Sequence, residues 1–149
     1  MLALAETRKV GAGETAERGE EVAPAPGGQD AGPVVRLVNS TIHDALKLGV
    51  SDIHFEATPA GLDIRYRIDG VLEKVGAAAG RAIAEQAVSR LKVLAELDIA
   101  ERRVPQDGRF PVRLAGRRID LRLSVMPSIH GEDAVLRILD KRRLVPEGE

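Results

Sequence analysis

The sequence predicts an α+β fold, an antiparallel sheet covered by two helices, on three observations. Apolar residues recur at helical spacing over residues 34–48 and again over 81–98. Between and after these segments lie short runs in which apolar and charged residues alternate, as in half-buried strands. Two dipeptides suited to tight hairpins, Asp69-Gly70 and Ala115-Gly116, sit between such runs.

The elements follow in chain order. In VVRLVNSTIHDALKLG (34–49), apolar positions 34, 38, 42 and 45/46 form one stripe. Pro33 suits the first turn and Gly49 the position past the end. SDIHFEA (51–57) alternates, and Thr58-Pro59-Ala60-Gly61 supplies a turn. LDIRYRIDGVLEKV (62–75) reads as a hairpin about Asp69-Gly70. RAIAEQAVSRLKVLAELD (81–98) is the second helix, with Ile83, Ala87, Leu91 and Leu94 on one face. The charged stretch DIAERRVPQDGRF (98–110) then leads to three more strands, 109–114, 117–125 and 134–139.

Composition narrows the function. The chain has 149 residues, no cysteine and a formal net charge of −1, so disulfides, thiolate metal sites and a global attraction to polyanions are excluded. Phe55, Tyr66 and Phe110 are the only aromatic residues, too few for the stacking platforms of single-stranded nucleic-acid readers. Nucleic acid is therefore not an expected partner. No apolar run reaches the length of a membrane span, and the N-terminus lacks a secretory core, so no direct membrane insertion is expected.

Residues 1–33 are rich in Ala, Gly, Glu and Pro without periodicity, and are expected to form a flexible linker. Without them, residues 34–149 keep 19 basic and 17 acidic residues, a balance with no diagnostic sign. A linker of this length implies a preceding segment or a tethered partner.

Alternation sorts the strand residues into two faces. Leu62, Ile64, Tyr66 and Ile68 share one side, with Asp63, Arg65 and Arg67 on the other. Phe110, Val112 and Leu114 form the apolar side of the next strand, and Ile119, Leu121, Leu123 and Val125 that of its partner. A two-residue loop at Ala115-Gly116 pairs apolar with apolar throughout, whereas a three-residue loop mixes the faces. That register sets Arg109 directly across from Arg122. Two guanidiniums so placed repel and cannot shed protons, so they call for carboxylates or a bound anion. Asp107 and Asp120 are the nearest internal partners, and a phosphate is the external one. Arg137, between Leu136 and Ile138, adds to the same face. Spacing alone leaves two readings open, a solvated face of salt bridges or an anion-binding surface.

Self-contained catalysis is not predicted. None of Lys9, Lys47, Lys74, Lys92 and Lys141 follows a glycine, so there is no phosphate-binding G-x-x-x-x-G-K-[ST] loop. His43, His54 and His130 lie in different elements with no metal-ligand spacing, and structural roles are expected for all three. Ser51, Ser124 and Ser128 lack a nucleophile-elbow context.

SDIHFE, RYRIDGVL, LDIAERRVPQDGR, DLRLSVMPSIHGED and VLRILDK, in that order, closely resemble the N2 domain of the secretion-traffic ATPases, the family that drives type II secretion and type IV pilus assembly. The resemblance covers about residues 33–143. Ser-Ile-His-Gly-Glu followed by Leu-Asp-Lys is similar to the type II secretion branch. It implies a PAS-like α+β domain over 34–143 and a tail, 144–149, leading to a RecA-like ATPase domain that this chain lacks. The piece is thus expected to be excised or truncated. The resemblance further implies a hexamer at the cytoplasmic face of the bacterial inner membrane. Its partners are the RecA-like domain of the same protein, neighbouring subunits and inner-membrane secretion components. ATP and Mg²⁺ serve the full-length family, and neither is expected to bind stably to this chain alone.

In the family, arginines of the N2 domain reach nucleotide held by the RecA-like domain. Carried onto this sequence, these are Arg122 and Arg137 first, then Arg109 and Arg67, with Asp107 and Asp120 orienting guanidiniums. The alternative is a PAS-like interaction module docking secretion components through a helix face or sheet edge without nucleotide contact. A small-molecule sensor is a weaker third reading, since the chain has no aromatic-lined pocket to offer.

Overall fold

The computed structural model describes residues 32–140. The linker expected over 1–33, apart from its last two residues, and the tail expected over 144–149 lie outside the described residues. The elements run α1 (Pro33–Leu48), β1 (Asp52–Ala57), β2 (Gly61–Ile68), β3 (Val71–Ala79), α2 (Ile83–Leu94), β4 (Gln106–Leu114), β5 (Arg117–Ser128) and β6 (Gly131–Leu139). This is the expected α+β order of helix, three strands, helix, three strands.

All six strands join one antiparallel sheet in the order β3-β2-β1-β6-β5-β4. Each half of the chain contributes a meander of three neighbouring strands, and the halves meet where β1 pairs with β6. One face of the sheet carries the core. Ile53, Phe55, Ile64, Tyr66, Leu121, Leu123 and Leu136 are buried there with Val38 and Ile42 of α1 and Val88 and Leu91 of α2. The Tyr66 hydroxyl donates to the Thr41 carbonyl at 2.7 Å, tying β2 to α1. Burial raises the pKa of that phenol, with Asp44 adding to the rise, so it stays a donor.

Local chemistry explains the boundaries. Pro33 sits in the first turn of α1, and Gly49 ends it in a left-handed conformation with its N–H on the Ala45 and Leu46 carbonyls. The two hairpins are as read: Asp69-Gly70 and Ala115-Gly116 all have positive φ, the requirement of a type I′ turn. At Ala115-Gly116 the pairing is that of the two-residue loop, with Phe110 opposite Leu121 and Val112 opposite Ile119.

Several boundaries differ from expectation. Helix α2 stops at Leu94 rather than near 98, although the helix-forming pattern continues. Glu96 turns left-handed at φ 58° and the chain folds back over β4. There a Cβ on Gly108 would lie 2.9 Å from Leu97 Cδ2 and 3.2 Å from Ala95 Cβ, so the glycine admits the crossing segment. Tertiary packing has overridden helix propensity. Strand β4 begins at Gln106, so Gln106–Gly108 are strand rather than loop. Strand β3 continues to Ala79 past an irregularity opposite Ile64/Arg65, with small residues against β2. Strands β5 and β6 run on to Ser128 and from Gly131, leaving Ile129-His130 as their turn.

The charged connection 98–105 is tied down by its own polar groups. Gln106 accepts from the Asp98 N–H at 2.9 Å and donates to the Asp98 and Glu101 carbonyls. Arg102 pairs with Glu85 of α2, and Arg103 with Glu101 at 3.5 Å. Beneath it, the fully buried Lys92 ammonium donates to the Glu101 carbonyl at 2.7 Å and pairs with Glu132 at 3.0 Å.

Candidate functional site

The sheet face that carries no helix among the described residues collects the four arginines singled out in the sequence. Strand pairing sets Arg67 of β2 opposite Asp52 of β1, Asp52 opposite Arg137 of β6, Arg137 opposite Arg122 of β5, and Arg122 opposite Arg109 of β4. The five residues form a single row across five adjacent strands. Four carry a positive charge and one a negative.

The row divides unevenly. Asp52, 5% exposed, lies under two of the guanidiniums. Its Oδ1 accepts from Arg137 Nε at 3.0 Å and its Oδ2 lies 3.2 Å from Arg67 Nε. The neighbouring Ser51 hydroxyl also donates to Oδ2, at 3.1 Å. Arg67 makes a further bond through Nη1 to the Gly70 carbonyl. Arg137 meets Asp52 through Nε, and its side chain is 65% exposed. Arg109 and Arg122 are exposed and make no side-chain hydrogen bond or ion pair with any described residue.

The internal partners expected for the arginines differ from those observed. Asp107 accepts from the Ser124 hydroxyl at 2.9 Å, the residue directly opposite it. Asp120 pairs with Arg118, two residues along the same strand and so on the same face, at 3.2 Å. Neither reaches Arg109 or Arg122. The carboxylate that does organise the row, Asp52, was missed. Its sequence cue is weak: an acid opening an alternating strand reads as an ordinary edge charge.

His54 follows Asp52 on the same face, opposite Arg65. Burial lowers its pKa below the ordinary 6.5; Arg67 and Arg65 push the same way, while Asp52 and Glu56 oppose them. Further along, Arg65 bonds Glu56 at 3.0 Å and reaches Asp63 at 3.7 Å, and Lys74 lies 3.5 Å from Asp63. Charge on this part of the face is internally compensated.

Chemically, exposed and uncompensated guanidiniums fit phosphate oxygens. Among the described residues no group of three or more His, Asp or Glu is placed to hold a metal ion. No helix among them is long and apolar enough to cross a membrane.

The fold and the site together define an α+β module whose antiparallel sheet carries a row of four arginines and one aspartate on one face. Its family is given by comparison: a model described as "Type II/IV secretion system protein" matches residues 28–147, and the chain belongs to that family. It is 51% identical over 113 residues to the type II secretion system ATPase E of Vibrio cholerae serotype O1, covering 76% of this chain and 22% of that protein. To the type II secretion system protein E of Dickeya dadantii it is 52% identical over 114 residues, covering 76% and 23% respectively. The chain thus spans less than a quarter of the length of these relatives. These names agree with the type II resemblance read from the sequence. Among solved structures, the pilus retraction motor PilT with bound ADP aligns at 27% identity and a TM-score of 0.43, over 65% of this chain and 27% of that one.

Proposed function

We propose that residues 34–143 form a regulatory, nucleotide-contacting domain of a hexameric secretion ATPase, and that its arginine row meets ATP held on a RecA-like domain. The row itself carries this reading: four guanidiniums from four of five adjacent strands, two of them without a carboxylate among the described residues. Repulsion between neighbours in such a row is relieved when an anion binds across them. In phosphoryl transfer, guanidiniums at the phosphate offset charge that builds on the transferring oxygens, which lowers the barrier without any proton transfer. Arg122, flanked by Arg109 and Arg137, is the central donor. ATP hydrolysis, the Mg²⁺ requirement, the partners in the secretion machinery and the location at the inner membrane all belong to the longer protein. The Vibrio cholerae relative, named an ATPase, supports the assignment of ATP hydrolysis.

The test is Arg122→Ala in the full-length hexamer. Turnover falls about a hundredfold, the scale of losing one charge-stabilising donor, while thermal denaturation of the domain is unchanged. Normal turnover removes Arg122 from the site. Docking of partners through the helices has less support, because Leu48 and Val93 are the only large apolar side chains strongly exposed on α1 and α2.

A further inference from the structure

The position of Asp52 differs from that of the other carboxylates on this face. It is the only acid in the arginine row, it is almost fully covered, and each oxygen is taken by a different arginine. These arginines come from β2 and β6, on either side of β1. Arg109 and Arg122, farther along, have no such partner among the described residues. Among the described residues the row is therefore graded, with compensated charge at the β2–β1–β6 end and uncompensated charge at the β5–β4 end.

We propose that Asp52 is a built-in counter-charge that restrains the grip of the arginine row on a polyphosphate. Bound phosphate oxygens and Asp52 draw on the same guanidiniums, Arg137 above all. Its Nε is committed inward and its side chain is largely exposed. A carboxylate fixed within a few ångströms of a bound polyanion also repels it. At surface dielectrics, unit charges at such distances interact by enough to change affinity about tenfold. Asp52 thus allows the row to recognise a polyphosphate while keeping the complex weak enough to dissociate. This inference rests on the anion-facing reading of the row and deepens it: it names the residue that sets how tightly the row holds its ligand. Two other roles for Asp52 predict different outcomes. A purely structural carboxylate leaves affinity unchanged on neutralisation. One that merely aims Arg137 at the ligand weakens binding when removed.

The experiment titrates the 149-residue chain with inorganic tripolyphosphate, following backbone and arginine Nε–Hε resonances by NMR. Four proteins are compared: wild type, Asp52→Asn, Asp52→Glu and Arg122→Ala. The expected result is binding about tenfold tighter in Asp52→Asn, within about twofold of wild type in Asp52→Glu, and weaker in Arg122→Ala. Thermal melts give a second readout by linkage, since tripolyphosphate raises the Tm of Asp52→Asn more than that of wild type. Should Asp52→Asn prove unfolded, Asp52→Ser removes the charge with less bulk and carries the same expectation. Unchanged or weaker binding in the neutral variants, with Arg122→Ala still impaired, overturns the role of Asp52 and leaves the anion reading standing. No response to tripolyphosphate in any of the proteins overturns both.

Discussion

Arg109 and Arg122 face each other across β4 and β5, both exposed, with no carboxylate from the described residues between them. Like charges at directly opposed strand positions oppose folding, so this pair costs the isolated chain stability. Arg122→Glu places an acid between Arg109 and Arg137 and turns two repulsive neighbours into attractive ones. The variant is expected to be more stable by about 0.2 to 1 kcal/mol, measured by urea denaturation at low salt. The gain shrinks at about 1 M salt, where screening is strong. A loss of stability at low salt would show that the pair is not repulsive.

Lys92 is 1% exposed and its ammonium serves both the Glu132 carboxylate and the Glu101 carbonyl. Lys92→Met removes the charge and strands Glu132, whose side chain beside it is only 9% exposed. The expected loss is about 3 to 5 kcal/mol in chemical denaturation. Lys92→Met/Glu132→Gln is expected to recover a substantial part of it, because no uncompensated charge is then buried. If the double variant is as unstable as the single one, lost packing rather than lost pairing governs this position.

His54, on the same face as the arginines, has a lowered pKa. Its folded-state pKa lies below the ordinary 6.5, chiefly through burial. The unfolded chain therefore takes up a proton first as pH falls, and stability rises with pH wherever the unfolded state binds more protons. Its contribution is flat above the unfolded value and becomes progressively unfavourable as pH falls from 6.5. Comparing wild type with His54→Asn between pH 8 and about pH 5 isolates this slope. The wild type is expected to lose more stability on acidification. Parallel curves would assign the slope to other groups.

The sequence made legible what local rules control. The Asp69-Gly70 and Ala115-Gly116 turns fix their hairpins, and the alternating pattern of the second then places Arg109 against Arg122. Contacts between distant segments were less legible. Asp52 and Arg137 are 85 residues apart, and nothing near either predicts that β1 and β6 pair. The early stop of α2 has the same origin, since Leu97 and Ala95 settle onto Gly108 despite a sequence that favours continued helix. Asp107 and Asp120 were near in sequence to the arginines they were expected to serve, but each has a closer partner on its own face, Ser124 and Arg118.

Joining the two meanders only at β1 and β6 has a further consequence. The first half of the chain supplies Arg67 and Asp52, and the second supplies Arg109, Arg122 and Arg137. Neither half alone can display the complete line of charges, so its presence reports that both have docked. Anything that pries that seam apart, by heat, force or a competing strand, would break that line of charges even with both meanders intact.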